Sequence, residues 1–104
     1  MKTLVFVLFA CAGIAASVQA QAQAIPDLAK SKACLGCHSI DKKVVGPAFH
    51  EVALKYAGQK DAQAKLVASI TKGSTGTWGA MAMPPNAVSQ DEAATLAKWV
   101  LAQK

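Results

Sequence analysis

The chain has 104 residues, with eleven lysines, no arginine and six acidic residues, for a formal net charge of +5. That length allows one domain. The lysines are scattered rather than clustered with aromatic residues, which argues against nucleic-acid binding and suits either brief docking to acidic partners or simple solubility.

Met1-Lys2-Thr3 is a short basic start, followed by the 13-residue apolar run Leu4 to Ala16 and the small-x-small pattern Ala20-Gln21-Ala22. This is the pattern of a secretory signal, too short to span a bilayer, where about 20 apolar residues are needed. Cleavage after Ala22 assigns 1–22 to the signal and 23–104, or 82 residues, to the domain; Ala20 and Ala24 are alternative cut points. Leu8-Phe9-Ala10-Cys11 faintly resembles a lipoprotein processing site. Phe9 is bulky for that role, and a cut there would leave an apolar core shorter than the roughly 7–15 residues a signal needs, so Cys11 reads as an apolar residue of the signal. Loss of Lys2 leaves ten lysines against six acidic residues, a net +4. An 82-residue chain buries little surface by itself, so it is expected to fold poorly without a further apolar body at its centre.

Pro26 and Asp27 open a short helix that runs toward Cys34-Leu35-Gly36-Cys37-His38. Cys-x-x-Cys-His is the c-type haem attachment pattern. Two thiols about one helical turn apart can both reach the vinyl groups on one haem edge, and the adjacent imidazole then faces the iron. A thioredoxin-like pair would need a βαβ surround, and a zinc site would need a second ligand pair; the chain offers neither.

Ser39 to Pro47 reads as a loop closed by Gly46-Pro47, and Phe49 to Tyr56 as a short helix stopped near Gly58. Asp61 is placed to cap a helix from Ala62 to Lys72, with Leu66 and Ile70 stacked at i, i+4 and Gly73 as its stop. Gly73 to Val88 follows, 16 residues without periodicity, and no strand pattern of period two occurs anywhere. A loop of that length in a compact domain is usually functional or disordered. It holds Trp78, Met81, Met83, Pro84, Pro85 and Asn86. A thioether is a soft ligand, and Pro84-Pro85 would stiffen the backbone beside Met83, which favours Met83 over Met81 as a ligand opposite His38. Both methionines could equally be core filling. Ser89-Gln90-Asp91-Glu92 then forms a capping box, and Ala93, Leu96, Ala97, Val100 and Leu101 make one apolar stripe. Trp99 flanks that stripe, and the first helix around Leu28 is the expected opposing surface.

Taken together, Cys34-Leu35-Gly36-Cys37-His38, Val45-Gly46-Pro47-Ala48, Gly76-Thr77-Trp78-Gly79, Met83-Pro84-Pro85-Asn86-Ala87-Val88 and Leu96-Ala97-Lys98-Trp99-Val100-Leu101 resemble, in that order, the small bacterial class I cytochromes c of the c-551 type. The resemblance runs from about Gln23 to Lys104. It implies an all-α fold of four to five short helices wrapped around one covalently bound haem c. It also implies that Cys34 and Cys37 hold the haem and that His38 and Met83 are the axial iron ligands. Pro47 would accept the second His38 ring N–H, a bond that fixes the tautomer. Trp78 would donate to a haem propionate, and Asn86 would bond near the Met83 sulfur. Relatives carry a basic residue on the third helix beside a propionate; Ser69 stands at that position and can donate a hydrogen bond but cannot offset charge. Met81 stands where the family has a core aliphatic residue.

The function implied is that of a periplasmic monohaem electron carrier, a monomer that is not an enzyme and is not embedded in the membrane. It would shuttle electrons from a donor such as a membrane quinol-oxidising complex to a nitrite reductase or terminal oxidase. Lys30, Lys32, Lys42 and Lys43 flank the Cys34–His38 segment and form the expected positive docking rim. His50, on a short helix, reads as a surface residue rather than a distal ligand. Two other classes remain open on the residues alone. One is a haem enzyme or gas sensor with a labile sixth ligand; the other is a thiol–disulfide oxidoreductase using Cys34 and Cys37.

Overall fold

The computed structural model describes residues 25–104, with Gly13 alone before them; the secretory reading of 1–22, Cys11 included, rests on residues outside those described. The described chain forms α1 (Asp27–Ser31), a 3-10 turn (Cys34–Gly36), α2 (Phe49–Tyr56), α3 (Ala62–Lys72), β1 (Ser74–Gly76), β2 (Gly79–Met83) and α4 (Gln90–Leu101). Four short helices carry the fold, and the two strands are a minor addition.

Pro26 enters α1 in extended conformation, and Asp27 lies in the first turn, where a negative charge meets unpaired N–H groups. The helix cannot continue into the cysteines, because Ala33 takes a left-handed conformation with φ +59°. The chain then recloses as a tight turn in which the Cys34 carbonyl accepts from both Cys37 N and His38 N. In α2, Phe49, Val52, Ala53 and Tyr56 are buried at i, i+3, i+4 and i+7, a single apolar face. In α3, Ala62 and Leu66 are buried and Ile70 follows on the same side, half-buried. Asp61 occupies the cap position of α3 but makes no capping hydrogen bond; its carboxylate pairs with Lys65 at 3.4 Å instead.

The unpatterned stretch after Gly73 is where structure and expectation part. It contains an antiparallel hairpin, with Ser74 opposite Met83 and Gly76 opposite Gly79. Thr77 and Trp78 form its tip between two glycines of positive φ, +81° and +110°. The strands escape sequence patterning because three to five residues rich in Gly, Ala and Met give no apolar–polar alternation, and most of them are exposed.

The apolar stripe of α4 is buried as expected at Ala93, Leu96, Ala97 and Val100. Its partners are chiefly α3 and α2, however, and only secondarily α1. The reason is length: five residues of α1 cannot cover a twelve-residue helix, whereas α2 and α3 together can. Lys32 ties the end of α1 to the start of α4, donating to the Ala87 carbonyl at 3.1 Å and standing 4.0 Å from Glu92. Trp99 packs edge-on against Phe49, at 5.1 Å and 76°.

The capping box of α4 is complete. Glu92 N donates to Ser89 Oγ at 3.1 Å, and Ser89 N donates to the Glu92 carboxylate at 2.9 Å. The bond from the Ser89 backbone holds the Glu92 carboxyl below its ordinary range, helped by Lys32 and the Ser89 hydroxyl and opposed by desolvation. A depressed carboxyl stabilises the fold above its unfolded pKa, about 4.3, and loses that contribution as pH falls through the folded value. Ser89→Ala should lower unfolding stability by about 1 kcal/mol. Glu92→Gln should be less stable than the parent at pH 7, with the gap narrowing in denaturant titrations as pH falls below the ordinary carboxyl range; a gap that stays constant with pH would mean the carboxylate's charge plays no part.

Candidate functional site

Between the helices lies a cavity of about 340 Å³, within the roughly 300–1,000 Å³ usual for bound small molecules and cofactors. Cys34, Cys37, His38, Pro47 and Phe49 line one part of it, Leu66, Ser69 and Ile70 of α3 another, and the hairpin with Trp78, Met81, Met83 and Asn86 a third. Five members of the buried core cluster, Phe49, Val52, Tyr56, Leu66 and Val100, also line it, and Ala62 and Ala97 complete the cluster. Among the described residues, those with 1% exposure or less are all alanines, and no large side chain falls below 2%. The protein thus assembles a ring of medium-sized apolar groups around a space instead of a solid centre.

His38 is held from three directions. Its Nδ1 lies 2.7 Å from the Pro47 carbonyl oxygen, so a proton on Nδ1 donates there and Nε2 is left as the free nitrogen. Phe49 stacks on the ring at 5.0 Å and 21°. Gly46 packs against the ring so closely that a methyl there would stand 2.5 Å from Cε1. The loop 39–47 brings Gly46 and Pro47 into position by folding back over the cysteines: Gly46 N donates to the Cys37 carbonyl at 2.7 Å, and His38 bridges to Lys43. Phe49 was not singled out in sequence, although the apolar spacing of 49–56 marks it as facing inward.

The two thiols are free, Cys34 half-buried and Cys37 exposed. Burial pushes the Cys34 thiol above its ordinary range.

Met83 is half-buried at the end of β2, while Met81 is 68% exposed; both line the cavity. Asn86 fastens the segment after Met83 to the end of α3. Its backbone N–H and its side-chain amide both donate to the Ile70 carbonyl, at 3.0 and 3.1 Å, and the amide also reaches the Pro84 carbonyl at 3.4 Å. Trp78 is half-buried, with the Lys55 ammonium 5.1 Å above its ring. Trp99 also lines the cavity, and its indole Nε1 is buried without a partner. His50 is absent from the cavity lining and bonds through Nδ1 to the Gln103 carbonyl at 2.9 Å.

Two thiols beside an imidazole, a thioether on a separate wall, an apolar lining and one orphaned donor fit a large, flat, mostly apolar metal-bearing group. Lys43 and Val45 line the cavity, and their chain neighbours Lys42 and Val44 are exposed; the two valines are 54% (Val44) and 46% (Val45) exposed. Those two lysines hold no ion pair among the described residues, whereas Lys30 stands 4.0 Å from Asp27 and Lys32 is spent on Ala87 and Glu92. Among the described residues no helix is long and apolar enough to cross a membrane.

Known proteins match this arrangement. The family model for cytochrome c covers residues 21–104. Cytochrome c-551 of Pseudomonas aeruginosa is 61% identical over 77 residues, 74% of each chain. Cytochrome c-551 of Stutzerimonas stutzeri is 47% identical over 104 residues, the full length of both. The crystal structure of wild-type Nitrosomonas europaea cytochrome c552 superposes with a TM-score of 0.73 at 48% identity, covering 75% of this chain and 98% of that one. The chain belongs to the cytochrome c family, as a small class I electron-carrier cytochrome with one covalently attached haem c.

Proposed function

We propose that residues 1–22 export the chain, and that 23–104 act in the bacterial periplasm as a one-electron carrier with His38 and Met83 as axial ligands. The observation that carries this reading is the shared cavity, lined by Cys34, Cys37 and His38 on one side and by Met83 on another. The haem, when bound, supplies the Fe(III)/Fe(II) couple. Cys34 and Cys37 would hold it through thioethers. The Pro47 bond would keep His38 in the tautomer that offers Nε2 to a metal and raise the basicity of the ring. Met83 would contribute a soft sulfur, a ligand choice that raises iron potential relative to a second imidazole. Trp78 would give its indole N–H to a propionate, and Ser69 could add a hydroxyl but no compensating charge. Asn86 would act on Met83 by fixing the turn after it, given its bonds to Ile70 and Pro84.

With both axial positions filled by side chains, substrate has no place to bind, so the reading is a carrier rather than an enzyme or gas sensor. Donor and acceptor would be a quinol-oxidising complex and a nitrite reductase or terminal oxidase. Lys42, Lys43, Val44 and Val45 would meet them: the lysines steer encounter, and the valines lose water on contact.

The mass of the purified protein and its reduced visible spectrum test the class of function. One added haem with a low-spin spectrum is expected; a mass without haem, or a high-spin spectrum, would return the thiol or open-site alternatives. Met83→Ala should abolish the weak sulfur-to-iron absorption in the near infrared, and Met81→Leu should keep it. The reverse outcome would make Met81 the ligand. Reversal of Lys42 and Lys43 to Glu should slow electron transfer to an acidic partner roughly tenfold at low salt while leaving the potential nearly unchanged. The effect should shrink by about 0.15 M salt, where screening acts over roughly 8 Å. A rate indifferent to the reversal at low salt would assign the two lysines to solubility.

A further inference from the structure

Gly73 ends α3 with φ +85° and ψ 171°, a backbone conformation that essentially only glycine adopts. Its surroundings add a second demand. A methyl built on its Cα would stand 2.7 Å from the Met83 carbonyl oxygen and 3.2 Å from Pro85 N and Cδ. These are main-chain and ring atoms, so no flexible side-chain end can swing aside. The Met83–Asn86 segment is also pinned on both sides of this contact. Ser74 pairs across the hairpin with Met83, and Asn86 donates twice to the Ile70 carbonyl, three residues before Gly73. Pro84 and Pro85 restrict the backbone between those anchors. The Met83 carbonyl therefore rests directly on the bare Cα of Gly73.

We infer that Gly73 is a positioning residue for Met83: the missing side chain sets where the Met83 backbone lies against α3, and so how firmly its sulfur holds the sixth position. The inference rests on the reading of Met83 as axial ligand. The competing explanation is that Gly73 serves its φ alone, as a helix stop. Gly58 controls for positive φ away from any contact, because it follows α2 at φ +76° with nothing within 4 Å of a built methyl. Alanine at either site strains the backbone; alanine at Gly73 alone also pushes Met83.

Haem-loaded parent, Gly73→Ala, Gly58→Ala and Met83→Ala are compared by the near-infrared absorption and by titration of the ferric protein with imidazole. Imidazole enters only when the native ligand is off, so its apparent affinity tracks that population. Gly73→Ala should weaken or shift the absorption and bind imidazole about tenfold more tightly, while Gly58→Ala matches the parent in both. If Gly73→Ala accumulates poorly, the Gly73→Ala/Pro85→Ala pair, which removes the Pro85 ring contact and keeps the one with the Met83 carbonyl, is compared with Pro85→Ala alone for the same difference. Equal affinity in Gly73→Ala and Gly58→Ala, or in the pair and Pro85→Ala, overturns the inference. Survival of the absorption in Met83→Ala overturns the ligand reading instead.

Discussion

The bond from His38 to the Pro47 carbonyl is the constraint on which the rest of the site depends. An imidazole next to two cysteines on a short turn could rotate freely, and a ligand that rotates holds nothing in place. Here the ring is fixed at Nδ1 by Pro47 and packed against by Gly46 and Phe49. All three restraints come from one short stretch, residues 46–49, and that stretch is itself tied back to the residues around His38. Pro47 presents its carbonyl because Gly46 is anchored to Cys37, and Phe49 is brought under the ring because Phe49 N is itself bound to the Ser39 carbonyl at 2.9 Å. The loop 39–47 is thus a bracket for one nitrogen atom.

That bracket sits in a core that carries little bulk of its own. A domain of about 80 residues buries a small share of its surface, and here the most deeply buried side chains are alanines. Alanine lets helices approach closely, and the larger groups, Phe49, Tyr56 and Leu66, stand around the cavity rather than filling it. The prosthetic group of the family is therefore a structural element as much as a functional one. Its loss would remove the contacts that the cavity-lining side chains, His38, Phe49 and Trp99 among them, make with it.

The opposite side of the cavity is built by different means. No regular helix presents Met83; a hairpin and a proline-stiffened segment do, laid along the C-terminal end of α3. The last carbonyls of a helix have no partner within it, and Asn86 uses that of Ile70 twice. A helix end thereby becomes the anchor for an irregular segment that carries chemistry. Lys43 and Val45 line the same cavity, so the loop 39–47 that brackets His38 also carries lysine to the edge of the site that would hold the iron.

Much of this was legible in the residues because it is local. Cys34 to His38 declares the attached group by spacing alone, the Ser89–Glu92 box declares the start of α4, and the apolar stripes of α2 and α4 declare their buried faces; each depends on contacts within a few residues. Tertiary structure decided what depends on distant stretches meeting. The hairpin arises from pairing between Ser74 and Met83, with no alternation to announce it. The helix that covers α4 is chosen by length and not by apolar pattern, so α3 and α2 displace α1. Lys32 looks like a docking charge until Ala87 and Glu92 are brought to it from 55 and 60 residues away. Gly73 looks like a helix stop until the Met83 carbonyl arrives against it. Sequence encodes which groups are present and their local periodicity, but a close contact between remote segments leaves no periodic trace in either one.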